Sequence, residues 1–253
     1  MSAQPAAPVR RSRPHAAWHV ATVVETRHET PTAARLVLDV PTWPGSAAGS
    51  HVDVRLTAPD GYQASRSYSI ASSTPAGQVV LAVDELPDGE VSPFLVREVR
   101  PGDQLELHGP LGAFFVWRPG ESTRPVQLVA GGSGVVPLYA MAAAHGAAGD
   151  DSPFRLLYSV RTPADVFFTD ELTALAGPAF GLDLVYTRNA PDGWPDAVGR
   201  LTRESLAART IPAAERPRVY VCGSTGFVEA VAGWLQELGH PAADIHTERF
   251  GGL

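Results

Sequence analysis

The chain has 253 residues, enough for one large domain or two of roughly 100–150 residues each. Hydrophobic residues make up 44% and charged residues 19%, the balance of a globular chain with apolar material for two cores. A formal net charge of −7 excludes nucleic acid as a main partner, because no basic surface of the needed size is available.

Cysteine usage narrows the field further. One cysteine, Cys222, excludes an internal disulfide framework, a cysteine-based zinc site and a ferredoxin-type iron–sulfur centre. The eight histidines are scattered, without the spacing of a ligand set, so no metal is expected. No apolar run approaches the length of a membrane span, and the N-terminus lacks the apolar core of a secretory signal. The expected location is the cytoplasm.

Residues 1–16 are rich in Pro, Ala and Arg (Arg10, Arg11, Arg13) and lack hydrophobic periodicity, which predicts a disordered tail. From Trp18 the pattern becomes one of short strands, predicted over 18–27, 33–40, 51–56, 66–71, 78–86 and 104–108. Six such strands with turn signals between them predict an all-β antiparallel barrel or sandwich. One helix interrupts them. Ser92 is placed to cap it, Pro93 to occupy its first position, and Phe94, Leu95 and Val99 to form its apolar face. Arg100-Pro101-Gly102 ends it.

The polar stretch 118–125 marks the proposed boundary between a first domain, 17–118, and a second, 124–253. Beyond it, apolar strands (126–130, 154–160, 182–187, 218–221, 245–248) alternate with helices (135–145, 169–176, near 202–208, 225–238). That alternation predicts an α/β doubly wound parallel sheet, covered on both faces.

Four stretches carry candidate chemistry. The first is Arg66-Ser67-Tyr68-Ser69-Ile70-Ala71-Ser72-Ser73. Read as alternating along a strand, its arginine, aromatic and serine project to one face, where they suit a flat, phosphorylated ligand. An ordinary barrel strand with a half-exposed arginine explains the octapeptide equally well. The second is Gly89-Glu90-Val91-Ser92, a hydroxyl and free amides at a helix start; a structural cap also suffices there.

The third, Gly131-Gly132-Ser133-Gly134-Val135-Val136-Pro137, sits between a strand and a helix, where dinucleotide folds place a pyrophosphate. Pro137 stands where the usual fingerprint has its third glycine. No acidic residue ends the second strand; instead the chain reads Ser159-Val160-Arg161, and the third strand runs into Thr187-Arg188. Arginine there suits a 2′-phosphate, although solvent exposure at a strand end is sufficient reason for either one. The fourth is Cys222-Gly223-Ser224 at the C-terminal end of a strand, the edge at which open α/β sheets bind ligands. Cys222 is there either to face a nicotinamide ring or to serve as a buried structural thiol.

Taken in order, these motifs resemble those of the ferredoxin–NADP⁺ reductase family over residues 18–253. The family's Arg-x-Tyr-Ser matches Arg66, Tyr68 and Ser69, and its Gly-x-x-Ser matches Gly89 to Ser92. Gly-Pro-x-Gly-x-Phe matches Gly109 to Phe114, and Gly-Gly-x-Gly-x-x-Pro matches Gly131 to Pro137. Cys-Gly matches Cys222-Gly223, and Glu-Arg-Phe-Gly closes the chain at Glu248 to Gly251.

The resemblance implies a flavin-binding barrel followed by a nicotinamide-nucleotide domain. It implies FAD, from the Ile-Ala-Ser-Ser continuation, with NADPH or NADH as hydride donor. Cofactor contacts would come from Arg66, Ser67, Tyr68, Ser69, Gly89, Val91 and Ser92 on the flavin side. On the nucleotide side they would come from Gly131, Gly132, Gly134, Pro137, Ser159, Arg161, Arg188, Cys222 and Gly223, with Phe250 either covering the flavin or packing in the sheet. Ser69, near flavin N5, and Cys222, aligning the nicotinamide, would be the catalytic pair.

Many relatives carry a fused iron–sulfur or haem domain, for which this chain has no room. The expected acceptor is therefore a separate ferredoxin or oxygenase component, met by a monomer. Two alternatives remain: a reductase of free flavin, quinone or ferric complexes, and a flavin-binding subunit without turnover.

Overall fold

The computed structural model describes residues 15–72 and 76–250. Residues 1–14 of the expected tail, Ser73 of the octapeptide and Gly251 of the closing motif lie outside the described residues.

The first half is a six-stranded antiparallel sheet. Its strands are β1 (Ala17–Thr30), β2 (Ala33–Asp39), β3 (His51–Thr57), β4 (Gln63–Ser69), β5 (Gln78–Asp84) and β6 (Gln104–Leu111), in the order β4-β3-β6-β1-β2-β5. The sheet curls until its two ends meet: Ile70, just past β4, bridges Leu81 of β5. Closure hides both edges, and the inward rows (Leu36 and Leu38, Val52 and Val54, Leu105 and Leu107) fill the interior.

Helix α1 (Ser92–Arg97) plugs one end of this barrel through Leu95. Its capping differs from the expectation. Val91, not Ser92, is the N-cap, and no side chain caps the helix. The Ser92 hydroxyl instead accepts the Leu86 N–H at 3.0 Å, closing the loop in front of the helix.

The second half is a five-stranded parallel sheet of β7 (Val126–Gly131), β8 (Phe154–Val160), β9 (Phe180–Tyr186), β10 (Arg218–Ser224) and β11 (Ile245–Phe250), ordered β11-β10-β7-β8-β9. Helices α2 (Val135–Ala148), α3 (Thr169–Leu175), α4 (Arg203–Arg209) and α5 (Thr225–Glu237) connect the strands. The strand order reverses between β7 and β10, which makes that crevice the switch point where ligands bind.

Period-two alternation divides β7 between two cores. Val126, Leu128 and Ala130 face one cluster and Val129 the other, where Val228, Val231 and Leu235 of α5 pack. The first of these clusters also takes in Ala33, Ala48, Ala71 and Ala82 from the barrel half, with Phe115 and Trp117 from the connection. Barrel and sheet therefore share one apolar contact, and the ligand-binding edge of the sheet faces the barrel wall.

Candidate active site

A cleft of about 910 Å³ separates the barrel wall from the C-terminal edge of the parallel sheet. β4 supplies Arg66, Ser67, Tyr68 and Ser69, and the loop into α1 supplies Gly89, Val91 and Ser92. Across the gap lie Gly131, Gly132, Ser133, Ser159, Arg161, Phe227, Glu248 and Phe250. Residues more than 180 positions apart thus line one volume.

The common face expected for Arg66, Tyr68 and the serine does not form. β4 pairs with β3 in the register Arg66–Val54, Ser67–Asp53, Tyr68–Val52 and Ser69–His51. With a two-residue period, Arg66 and Tyr68 share the face of the core valines, while Ser67 and Ser69 stand on the other. The motif reaches the cleft from both sides of a strand end. Tyr68 is half-buried against the barrel core, and burial pushes its phenol up to about 12, so the ring stays neutral.

Arg66 is exposed at the cleft and reaches the Glu90 carboxylate at 2.5 Å, which also accepts the Tyr62 hydroxyl at 2.8 Å. Those two donors, Tyr62 foremost, hold Glu90 below the ordinary carboxylate range. The arginine is therefore aligned by a partner that a phosphate would share or displace.

On the opposite wall Gly134 is sterically required. A Cβ there would stand 2.2 Å from the Cys222 carbonyl oxygen. Gly132 holds φ at +55° with open space around its α-carbon, leaving the backbone of the loop accessible from the cleft. Gly134, Pro137 and Gly223 shape the loop from beneath; all three are buried and none of them lines the cleft.

Ser159 and Arg161 both line the cleft. Arg161 bonds Asp165 at 3.0 Å, and Asp165 also accepts the Thr162 hydroxyl at 2.8 Å. Arg188 is exposed and does not line the cleft, although Thr187 beside it does.

Cys222 is fully buried and its thiol does not line the cleft. Burial above all, with Glu248 beside it, pushes the thiol well up and keeps it protonated. The parallel register pairs Cys222 with Glu248, and Glu248 is the residue that enters the cleft. It accepts the Ser69 hydroxyl at 3.3 Å. Burial raises its carboxyl to about 7, against a smaller pull downward from Ser69. Phe250, last of the described residues, packs on the shared core and also lines the cleft.

No local pattern marks Glu248 as a functional group, although it opens the closing Glu-Arg-Phe-Gly motif. The same holds for His51, which lines the cleft opposite Ser69. Burial lowers the His51 imidazole, partly offset by Asp53, and its buried Nδ1 has no hydrogen-bond partner. Ser72 Oγ is buried and unpartnered too. The orphaned His51 nitrogen, in one cleft with an aligned arginine and an open glycine loop, suits a polar, flat, phosphorylated ligand. Among the described residues no group of three or more His, Cys, Asp or Glu is placed to hold a metal ion, and no helix is long and apolar enough to cross a membrane.

Comparison with known proteins agrees with this geometry. Residues 21–116 match the oxidoreductase FAD-binding domain and residues 128–233 the oxidoreductase NAD-binding domain. The toluate 1,2-dioxygenase electron transfer component of Pseudomonas putida is 30% identical over 202 residues, 80% of this chain and 58% of that protein. Methane monooxygenase component C of Methylosinus trichosporium is 39% identical over 146 residues, 58% of this chain and 40% of that one. The chain thus spans about half the length of these curated relatives.

Among solved structures, the flavohem-like FAD/NAD binding domain of nitric oxide dioxygenase from Vibrio cholerae O1 biovar El Tor superposes with a TM-score of 0.81 at 26% identity. That match covers 92% of this chain and 99% of the other. Matched in both halves and in the same order, the chain belongs to the FAD- and NAD-binding oxidoreductases of the ferredoxin–NADP⁺ reductase family.

Proposed function

We propose that this protein takes a hydride from NADH or NADPH onto FAD and passes the electrons to a separate acceptor such as a ferredoxin or oxygenase component. One observation carries the reading: the flavin motif of the barrel and the glycine loop of the parallel sheet face each other across a single cleft. The redox chemistry would be supplied by bound FAD, which accepts hydride and releases electrons singly.

The protein's part is alignment. Arg66 and Ser92, with the backbone of Gly89 and Val91, hold the flavin pyrophosphate. Ser92 keeps its O–H to donate, because its bond to Leu86 uses only an acceptor lone pair. Tyr68 packs on the ring, with Ser69 near N5 and Ser67 beside it. The loop from Gly131 to Pro137 seats the nicotinamide nucleotide, with Ser159 and Arg161 near its adenosine phosphate. Cys222 and Gly223 back the wall from which Glu248 projects, which replaces the thiol by the carboxyl as the group facing the nicotinamide. Arg188 is left out of the site. Proximity and orientation supply much of the rate of such a transfer.

Domain limits of 17–118 and 124–253, a monomeric state and a cytoplasmic location belong to the same reading. Size-exclusion chromatography with light scattering tests the monomer. The decisive experiment is anaerobic titration of the purified protein with each nucleotide, followed by release and identification of the flavin. FAD bleached by nucleotide, with saturable reduction of a small ferredoxin, is the expected result. A colourless protein that takes up no flavin overturns the reading. Turnover with free flavin alone moves the function to a diffusible acceptor.

A further inference from the structure

Away from the reacting groups, a buried ionic clasp joins the two halves. Glu29, near the end of β1, and Arg35, in β2, have side chains only 6% and 11% exposed. Arg35 Nε donates to Glu29 Oε2 at 2.6 Å, and its Nη1 donates to Glu171 Oε1, on α3, at 2.5 Å. Arg27 reaches the same Glu171 oxygen at 3.1 Å. The other Glu29 oxygen accepts the backbone N–H of Phe168 at 2.5 Å.

Phe168 holds φ at +56°, a left-handed conformation that costs a non-glycine residue energy and persists only where its surroundings enforce it. Those surroundings are specific. The Arg35 guanidinium lies 4.6 Å over the Phe168 ring, and Tyr139 stacks on that ring at 3.9 Å and 11°. Tyr139 stands on α2, the helix that opens with the nucleotide loop. Phe167, the residue before Phe168, lines the cleft, as does Thr30, the residue after Glu29.

We infer that Glu29 and Arg35 are positioning residues for flavin reduction, acting through Phe168 to set the distance between the nucleotide-binding wall and the flavin-binding wall. The inference rests on the function proposed above. Other ties between the halves include single hydrogen bonds, such as that from the Tyr220 hydroxyl to the Val116 carbonyl at 3.1 Å, and apolar contact. The apolar cluster shared by barrel and sheet permits sliding, because apolar burial has no preferred geometry. The Ser69–Glu248 bond is long at 3.3 Å. A two-pronged guanidinium between carboxylates from both halves fixes angle as well as distance. Buried pairs of this kind contribute little net stability against their desolvation, so a geometric role fits them better than a stabilising one.

The test uses the full-length FAD-loaded protein and the variants Glu29→Gln, Arg35→Met, Arg35→Lys and Glu171→Gln. Anaerobic stopped-flow at saturating nucleotide reads the limiting rate of flavin reduction, and hydrogen exchange reads protection of the Phe168 amide. We expect the limiting rate to fall about tenfold or more in Glu29→Gln and Arg35→Met, with FAD content unchanged and the amide less protected. Arg35→Lys recovers part of the rate, since it keeps the charge and loses the fork.

An unchanged limiting rate, with only the melting temperature lowered, makes the clasp merely structural and overturns the inference. If the buried variants do not fold, Glu171→Gln decides alone: it leaves the Glu29–Arg35 pair in place and is expected to slow reduction by about twofold to fivefold. No slowing there refutes positioning. A wild-type protein that no nucleotide reduces removes the proposed function instead, and amide exchange then still reports whether the clasp orders Phe168.

Discussion

Replacing Glu248 by glutamine tests the electrostatics of the cleft directly. Gln keeps the shape and can still accept the Ser69 hydroxyl, so the perturbation is the loss of one titrating group. Burial raises the carboxyl from 4.5 to about 7. A carboxyl whose folded pKa is raised favours the folded state below its unfolded pKa, and that favour is lost as pH climbs through the folded value. Ionisation therefore costs stability progressively between pH 4.5 and about 7 and at a constant level above.

At 1.36 kcal/mol per unit, the upper limit is about 3 kcal/mol. Residual solvent access and screening halve it, to about 1.5 kcal/mol. For a chain of this length that corresponds to about 3–6 °C in Tm. The assay is thermal unfolding of Glu248→Gln and wild type at fixed excess FAD, from pH 4.5 to 8.5. The variant is expected to match wild type at the acid end and to lead by that margin above pH 7. A difference that is flat across the range would falsify the assignment of a raised carboxyl to Glu248.

Other substitutions separate the two walls. Gly134→Ala forces a methyl group against the Cys222 carbonyl and is expected to cost about 1–3 kcal/mol, read as a lowered Tm with weakened nucleotide binding; an unperturbed variant means that the loop stands farther from β10. Arg66→Ala is expected to weaken FAD about tenfold and riboflavin much less, because the lost bond is to phosphate; equal losses measured by fluorescence quenching remove Arg66 from the pyrophosphate site. Arg161→Ala is expected to weaken NADPH about fivefold to tenfold and NADH little, the effect being trimmed by competition from Asp165; parallel changes in both dissociation constants take Arg161 out of the phosphate site.

Local signals were legible where local forces decide. The run Phe154–Val160 reads as a buried strand and is one, residue for residue, because Phe154, Leu156, Leu157, Tyr158 and Val160, bounded by Pro153 and Arg161, outweigh the single exposed Arg155. β4 extends three residues earlier than predicted, since Gln63, Ala64 and Ser65 carry little strand propensity and are held by pairing with β3. The facing of Ser69 is a matter of parity that the sequence itself carries: residues 66 and 68 share a face that 69 does not. Ser92 has the composition of a cap, but the Leu86 N–H competes for its hydroxyl, and only the folded loop brings that donor within reach.

Sequence by itself determined the order of the two halves, the barrel strands and sheet strands with their helices, and the motifs that border the cleft. All of these depend on periodicity and on residues close together in the chain. Tertiary structure decided which group the strand-end motifs present. Cys222 and Glu248 are 26 residues apart yet paired in register, and the placement of the barrel buries the thiol while admitting the carboxyl. It alone also brought Glu29 to Phe168 across 139 residues. Contacts of that separation leave no periodic trace, because neither partner's neighbours specify the other until both halves have packed.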